Sequence, residues 1–127
     1  MLDVTSCDDT AASKSPPLER AIDLVHLSRM TFGDRSLERE VLQLFERQAS
    51  ILMAKVYVGS PGAIGALAHT LKGSARGIGA DRVASAAEAV EHASASGSDR
   101  ELKAAVERLA AAADEARTVI AELLQAA

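Results

Sequence analysis

A chain of 127 residues with 48% hydrophobic and 25% charged positions has the balance of one soluble globular domain and is too short for two well-packed cores. Its net charge of −4, with acids and bases interspersed, leaves no extended basic face to neutralise phosphates, which argues against nucleic acid as a partner. Aromatic residues make up only 2%, and Ala and Leu supply most of the apolar bulk, a composition that favours helices over sheets.

The N-terminus, Met1-Leu2-Asp3-Val4, lacks a basic region followed by an apolar core. No run approaches the roughly 20 apolar residues of a membrane span, so a cytoplasmic protein without membrane contact is expected. The single cysteine, Cys7, has no internal disulfide partner and is assigned no role. Residues 1–17 are rich in Asp, Ser and Thr and end in Ser15-Pro16-Pro17, too little apolar surface to offset the entropy of ordering. They read as a disordered leader ahead of a helical domain spanning 18–127.

Within that domain, Leu24, Leu27 and Met30 recur at helical spacing behind Asp23, a candidate N-cap, and Gly33 closes a brief helix expected to pack as a lid. Asp34 can cap a long second helix on which Leu37, Val41, Leu44, Phe45, Gln48, Leu52 and Val56 trace one stripe. Gly59-Ser60-Pro61-Gly62 then supplies a break and a start, with Ser60 as N-cap and Pro61 in the first turn, where its missing N–H does no harm. The third helix runs to Gly77 or Gly79, either of which suits a left-handed cap.

Asp81 opens a fourth helix with Val83, Ala87 and Val90 inward, and Gly97 ends it. Ser98-Asp99-Arg100-Glu101 matches the capping box and starts a fifth, with Leu102, Val106, Leu109, Ala113, Ala116, Ile120 and Leu123 on one face. Short connections between four substantial amphipathic helices make antiparallel neighbours. The expected fold is all-α: an up-down-up-down four-helix bundle with a short additional N-terminal helix.

The third helix carries the unusual residues. At 100° per residue, Ile64, Leu67, Leu71, Ala75 and Ile78 fall in one sector and His69 roughly opposite, so the imidazole points outward. On its side lie Gly65, Ala66, Lys72, Gly73 and Arg76, all very small or cationic. His26 and His92 stand apart from it and read as surface residues, and no histidine pair has metal-ligand spacing within one helix.

The run His69-Thr70-Leu71-Lys72-Gly73-Ser74-Ala75, with Ile78-Gly79-Ala80 after it, closely resembles the signature of histidine-containing phosphotransfer (HPt) domains of bacterial two-component phosphorelays. The likeness extends from about Ile22 through Thr31-Phe32-Gly33-Asp34, the Leu44-Phe45 pair and the closing helix. The resemblance implies that His69 accepts a phosphoryl group from an aspartyl phosphate on one receiver domain and passes it to an aspartate on another. Imidazole, with a reference pKa of about 6.5, offers an unprotonated nitrogen near neutrality. Lys72 would offset phosphoryl charge, and Gly73 with Gly65 would clear the approach of a partner's loops.

In some members a carboxylate or amide on the next helix orients the ring. Counting from the histidine places that acceptor at Glu91, with Glu88 one turn earlier as the competitor. The chain has no Gly-rich nucleotide loop and no receiver-type aspartate cluster, so it reads as a carrier without kinase activity and without an intrinsic cofactor. Mg²⁺ is expected on the partner. The implied partners are receiver domains of a hybrid histidine kinase or of response regulators, met by a monomer, with Glu46, Arg47 and Ser50 on the second helix as candidates for partner choice. The alternative is a helical adaptor that binds receiver-like proteins without passing phosphate.

Overall fold

Polar caps fix where most of the helices start. In the computed structural model, which describes residues 21–125, α1 spans Leu24–Met30 and begins where Asp23 Oδ1 accepts the backbone N–H of His26 at 3.1 Å. The leader expected over residues 1–17 lies outside the described residues. Asp34 does the same for α2, Arg35–Val56, through the Leu37 N–H, and Ser60 for α3, Pro61–Ile78, through Ala63. Gly77 is inside α3; Gly79 is its left-handed cap at φ 82°, with the Ala80 N–H returning to the Ala75 carbonyl.

Helix α4, Asp81–Ser96, has the buried Ala80 at its cap position, and Asp81 sits in its first turn, where its charge complements the helix dipole. Gly97, at φ 82°, ends it, and α5 runs Asp99–Gln125. The capping box forms by half: Ser98 Oγ accepts the Glu101 N–H, but the Glu101 carboxylate turns to the Ser96 hydroxyl at 3.2 Å instead of reaching back to Ser98. The Ser98 N–H donates to that same hydroxyl.

Helices α2 to α5 pack each on the next, and α2 against α5 closes the ring, giving the antiparallel bundle; α1 lies on α3. Asp23 N–H donates to the Gly79 carbonyl at 2.8 Å, and a side chain at Gly79 would collide with the Asp23 backbone. The entry to α1 is thereby tied to the end of α3.

The core is built from few large side chains and many alanines. Leu71, Leu109, Ile120, Val83 and Val90 are fully buried, and Ala68, Ala75, Ala87 and Ala116 let the helix axes approach. Leu71, on the face of α3 away from His69, contributes about 1.5–3 kcal/mol by its burial.

Three expected stripes are corrected. On α1 only Leu27 is buried, while Leu24 and Met30 remain exposed, so the helix docks through one side chain and through Ile22 before it. On α2 the inward face is Leu42, Phe45, Ala49, Leu52, Met53 and Val56, and Leu37 and Leu44 are exposed. Apolar residues occur on two faces of this helix, and the face that seats Phe45 centrally is the one that packs. On α3, Leu67 is half-buried and Ala68 takes the buried position.

Candidate functional site

His69 lies about halfway along α3, held by a helix whose opposite face is locked into the core through Leu71 and Ala75. Its side chain is 69% exposed. An exposed ring on a helix anchored in the core by its opposite face can meet another protein without a backbone movement.

Helix α4 supplies its partner. Glu91 Oε2 is 2.7 Å from His69 Nδ1, while Lys72 Nζ is 2.6 Å from the other oxygen, Oε1. Oε1 is closed off from solvent, and the ammonium meets it as an ion pair off the line a hydrogen bond would take. The Lys72 ammonium, foremost, holds the Glu91 pKa below the usual 4.5; burial opposes it to a lesser degree, and the hydrogen bond from His69 lowers it further. An ionised carboxylate can only accept, so Nδ1–H is the donor in this contact, and in the neutral form of the ring the lone pair falls to Nε2. Glu91 thus fixes which ring nitrogen is engaged and which faces outward.

Glu88 is placed elsewhere, with its carboxylate 3.7 Å from Arg76. Lys72 is only 16% exposed and is engaged by Glu91, so it is not the free cation beside the ring that the sequence alone suggests. Gly73 is exposed, and a Cβ added there would meet nothing within 4 Å, leaving open ground one turn from the histidine.

Gly65 plays a different part from the access role expected of it. A Cβ at Gly65 would run into the Ser94 hydroxyl and lie 3.3 Å from Ser94 Cβ. Ser94 Oγ donates to the Glu91 carbonyl at 2.9 Å, so the missing side chain lets α4 lie close enough for Glu91 to reach the ring. The pairs Gly65 with Ser94, His69 with Glu91 and Arg76 with Glu88 run down the antiparallel α3·α4 seam.

Ser94 was missed by sequence reasoning; its signal is a small residue one turn beyond the acceptor, facing a glycine one turn before the histidine. His26 is also more than a surface residue, since its Nε2 is 3.0 Å from the Gly77 carbonyl near the end of α3. His92 is exposed on α4. Of the proposed partner-choice residues, Glu46 pairs with Arg117 of α5 at 3.1 Å and accepts from Ser50, which puts both on the α5 flank of α2.

Across residues 37–126 the sequence matches the family model described as Hpt domain. The chain belongs to the Hpt domain family. No curated protein and no solved structure matches it. Hpt domains are helical phosphotransfer carriers of two-component signalling, distinct from kinases, and they interact with receiver domains. The matched region of this Hpt domain contains α3, α4 and α5 whole and nearly all of α2, and it leaves α1 outside.

Two further features bear on what the Hpt site can meet. Leu37, Leu44 and Ile51, seven residues apart, form an exposed apolar stripe on α2, on the flank away from the Glu46–Arg117 pair. Among the described residues no group of three or more His, Cys, Asp or Glu side chains could hold a metal ion, and no helix is long and apolar enough to cross a membrane.

Proposed function

We propose that this Hpt domain is a phosphorelay intermediate in which His69 Nε2 takes a phosphoryl group from the aspartyl phosphate of one receiver domain and delivers it to the aspartate of another. The single observation that carries the reading is the Glu91 carboxylate at 2.7 Å from Nδ1 of an otherwise exposed ring. A binding surface has no use for a fixed tautomer; a nucleophile does.

In the forward step the Nε2 lone pair forms the N–P bond, the P–O bond of the aspartyl phosphate breaks, and its electron pair leaves on the aspartate. The Nδ1 proton stays in place, so the ring becomes cationic, and the Glu91 carboxylate offsets that charge. Return to a second aspartate reverses these changes. Mg²⁺ held by the receiver would neutralise the phosphoryl oxygens from the partner's side. Gly73 admits the receiver's loops, and the Leu44 and Ile51 side chains give its apolar surface a place to rest.

Incubation with a phosphorylated receiver domain is expected to place acid-labile phosphate on this protein, and His69→Gln to abolish the label while leaving the helical content unchanged. Full labelling of the mutant would remove His69 from the reaction. Receiver binding without labelling of either form would favour an adaptor.

A further inference from the structure

The Glu91 carboxylate serves two cationic or proton-bearing neighbours at once, one on each oxygen. We propose that Lys72 is a reserve cation, held on Glu91 Oε1 while His69 is unmodified and passed to the phosphoryl oxygens when Nε2 is phosphorylated, so that Glu91 limits the lifetime of the phosphohistidine. The inference rests on the reading of His69 as acceptor and concerns how its phosphorylated state is poised.

Charge changes at the site require some such exchange. In the unmodified protein the Lys72 ammonium and the Glu91 carboxylate neutralise each other beside the ring, whose neutral form is the one that can attack phosphorus. Phosphorylation leaves the Nδ1 proton where it is and puts one positive charge on the ring and two negative charges on the phosphoryl group. The site gains a net negative charge, concentrated on the outer side of the ring.

Lys72, one turn along α3 and already joined to the ring through a shared carboxylate, is the cation nearest to that charge. Arg76 is a weaker candidate, two turns away, 58% exposed and drawn toward Glu88. Glu91 can release Lys72 and still hold the ring, because the Nδ1 contact uses Oε2 alone.

The exchange has an opposing cost. Oε1 is buried, so loss of the ammonium leaves a desolvated carboxylate oxygen without a partner. Glu91 therefore pulls the cation back, and the phosphoryl group is left less well neutralised than Lys72 alone would make it. A carrier benefits from that arrangement, since a phosphohistidine that is too well stabilised is not passed on.

The test uses the full chain and a chemical phosphoryl donor, phosphoramidate, which labels an accessible histidine without any receiver. The half-life of the phosphohistidine is followed by ³¹P NMR in the wild type, Glu91→Gln, Lys72→Met and the double variant, with circular dichroism to verify folding. Glutamine keeps an amide oxygen for Nδ1–H but no longer competes for the ammonium.

Glu91→Gln should lengthen the half-life about fivefold, the factor expected for freeing one partly buried ion pair. Lys72→Met should shorten it, and in the Lys72→Met background the Glu91→Gln effect should largely vanish. Lys72→Arg, which keeps the charge, should preserve the lengthening. An equal effect of Glu91→Gln with and without Lys72, an unchanged half-life, or no phosphohistidine at His69 would each overturn the proposal. If phosphoramidate labels His69 with these dependences but phosphorylated receivers do not, the relay reading fails and the cation exchange stands.

Discussion

Gly65 and Gly73 lie eight residues apart on α3, and the same substitution should move stability in opposite directions at the two. At Gly73 an added methyl meets open space, so alanine brings only its better helix propensity, about 0.8–1 kcal/mol. For a domain of this size that raises Tm by about 4 °C. At Gly65 the same propensity gain is set against a methyl lodged on Ser94, with Ser94 Cβ at 3.3 Å and the hydroxyl closer. Overpacking of that kind costs about 1–3 kcal/mol, so a net loss of about 1 kcal/mol is expected. Relief requires either rotation of Ser94, which breaks its bond to the Glu91 carbonyl, or displacement of α4, which carries Glu91 away from His69. Thermal melts followed by circular dichroism, with labelling of His69 by phosphoramidate in parallel, should show Gly73→Ala more stable and fully labelled and Gly65→Ala less stable and slower to label. Equal stabilisation by both substitutions would refute the packing role assigned to Gly65.

Glu91, with its pKa depressed in the folded state, contributes stability that is present above the ordinary carboxylate value near 4.5 and is lost as pH falls through the lowered value. Urea denaturation of the wild type and Glu91→Gln should therefore differ at pH 7 and converge as the solution is acidified below that range. Phe32 holds a left-handed backbone at φ 56° with its ring 92% exposed, so Phe32→Asn, which tolerates that region, should raise stability by about 0.5–1 kcal/mol in the same assay. Leu44→Glu, on the exposed α2 stripe, should leave the fold within about 0.5 kcal/mol of wild type but weaken receiver binding measured by titration calorimetry. Unchanged binding would take the stripe out of the docking surface.

Helix boundaries were legible because Asp23, Asp34, Ser60, Gly79 and Gly97 act through their own backbone neighbourhoods. Which face of α2 turns inward was not, since Leu37–Leu44–Ile51 and Leu42–Phe45–Leu52 are both helical stripes and only the fit of neighbouring helices selects one. The histidine and the small residues about it share a single helix, so their relation can be read from spacing alone. Glu91 is 22 residues distant and reachable only by likeness to the family. That Lys72 is tied to this carboxylate, and that Gly65 exists to seat Ser94, follows from the closeness of α3 to α4, which no spacing within one helix encodes.

In the proposed relay Glu91, by holding the proton on Nδ1, makes Nε2 of His69 the atom that carries phosphate. Heteronuclear ³¹P–¹⁵N NMR of protein labelled in its histidine rings, phosphorylated by a receiver domain, distinguishes the two nitrogens directly. The expected result is phosphorus coupled to Nε2 of His69 alone. Coupling to Nδ1, or a phosphorylated residue other than His69, would contradict it.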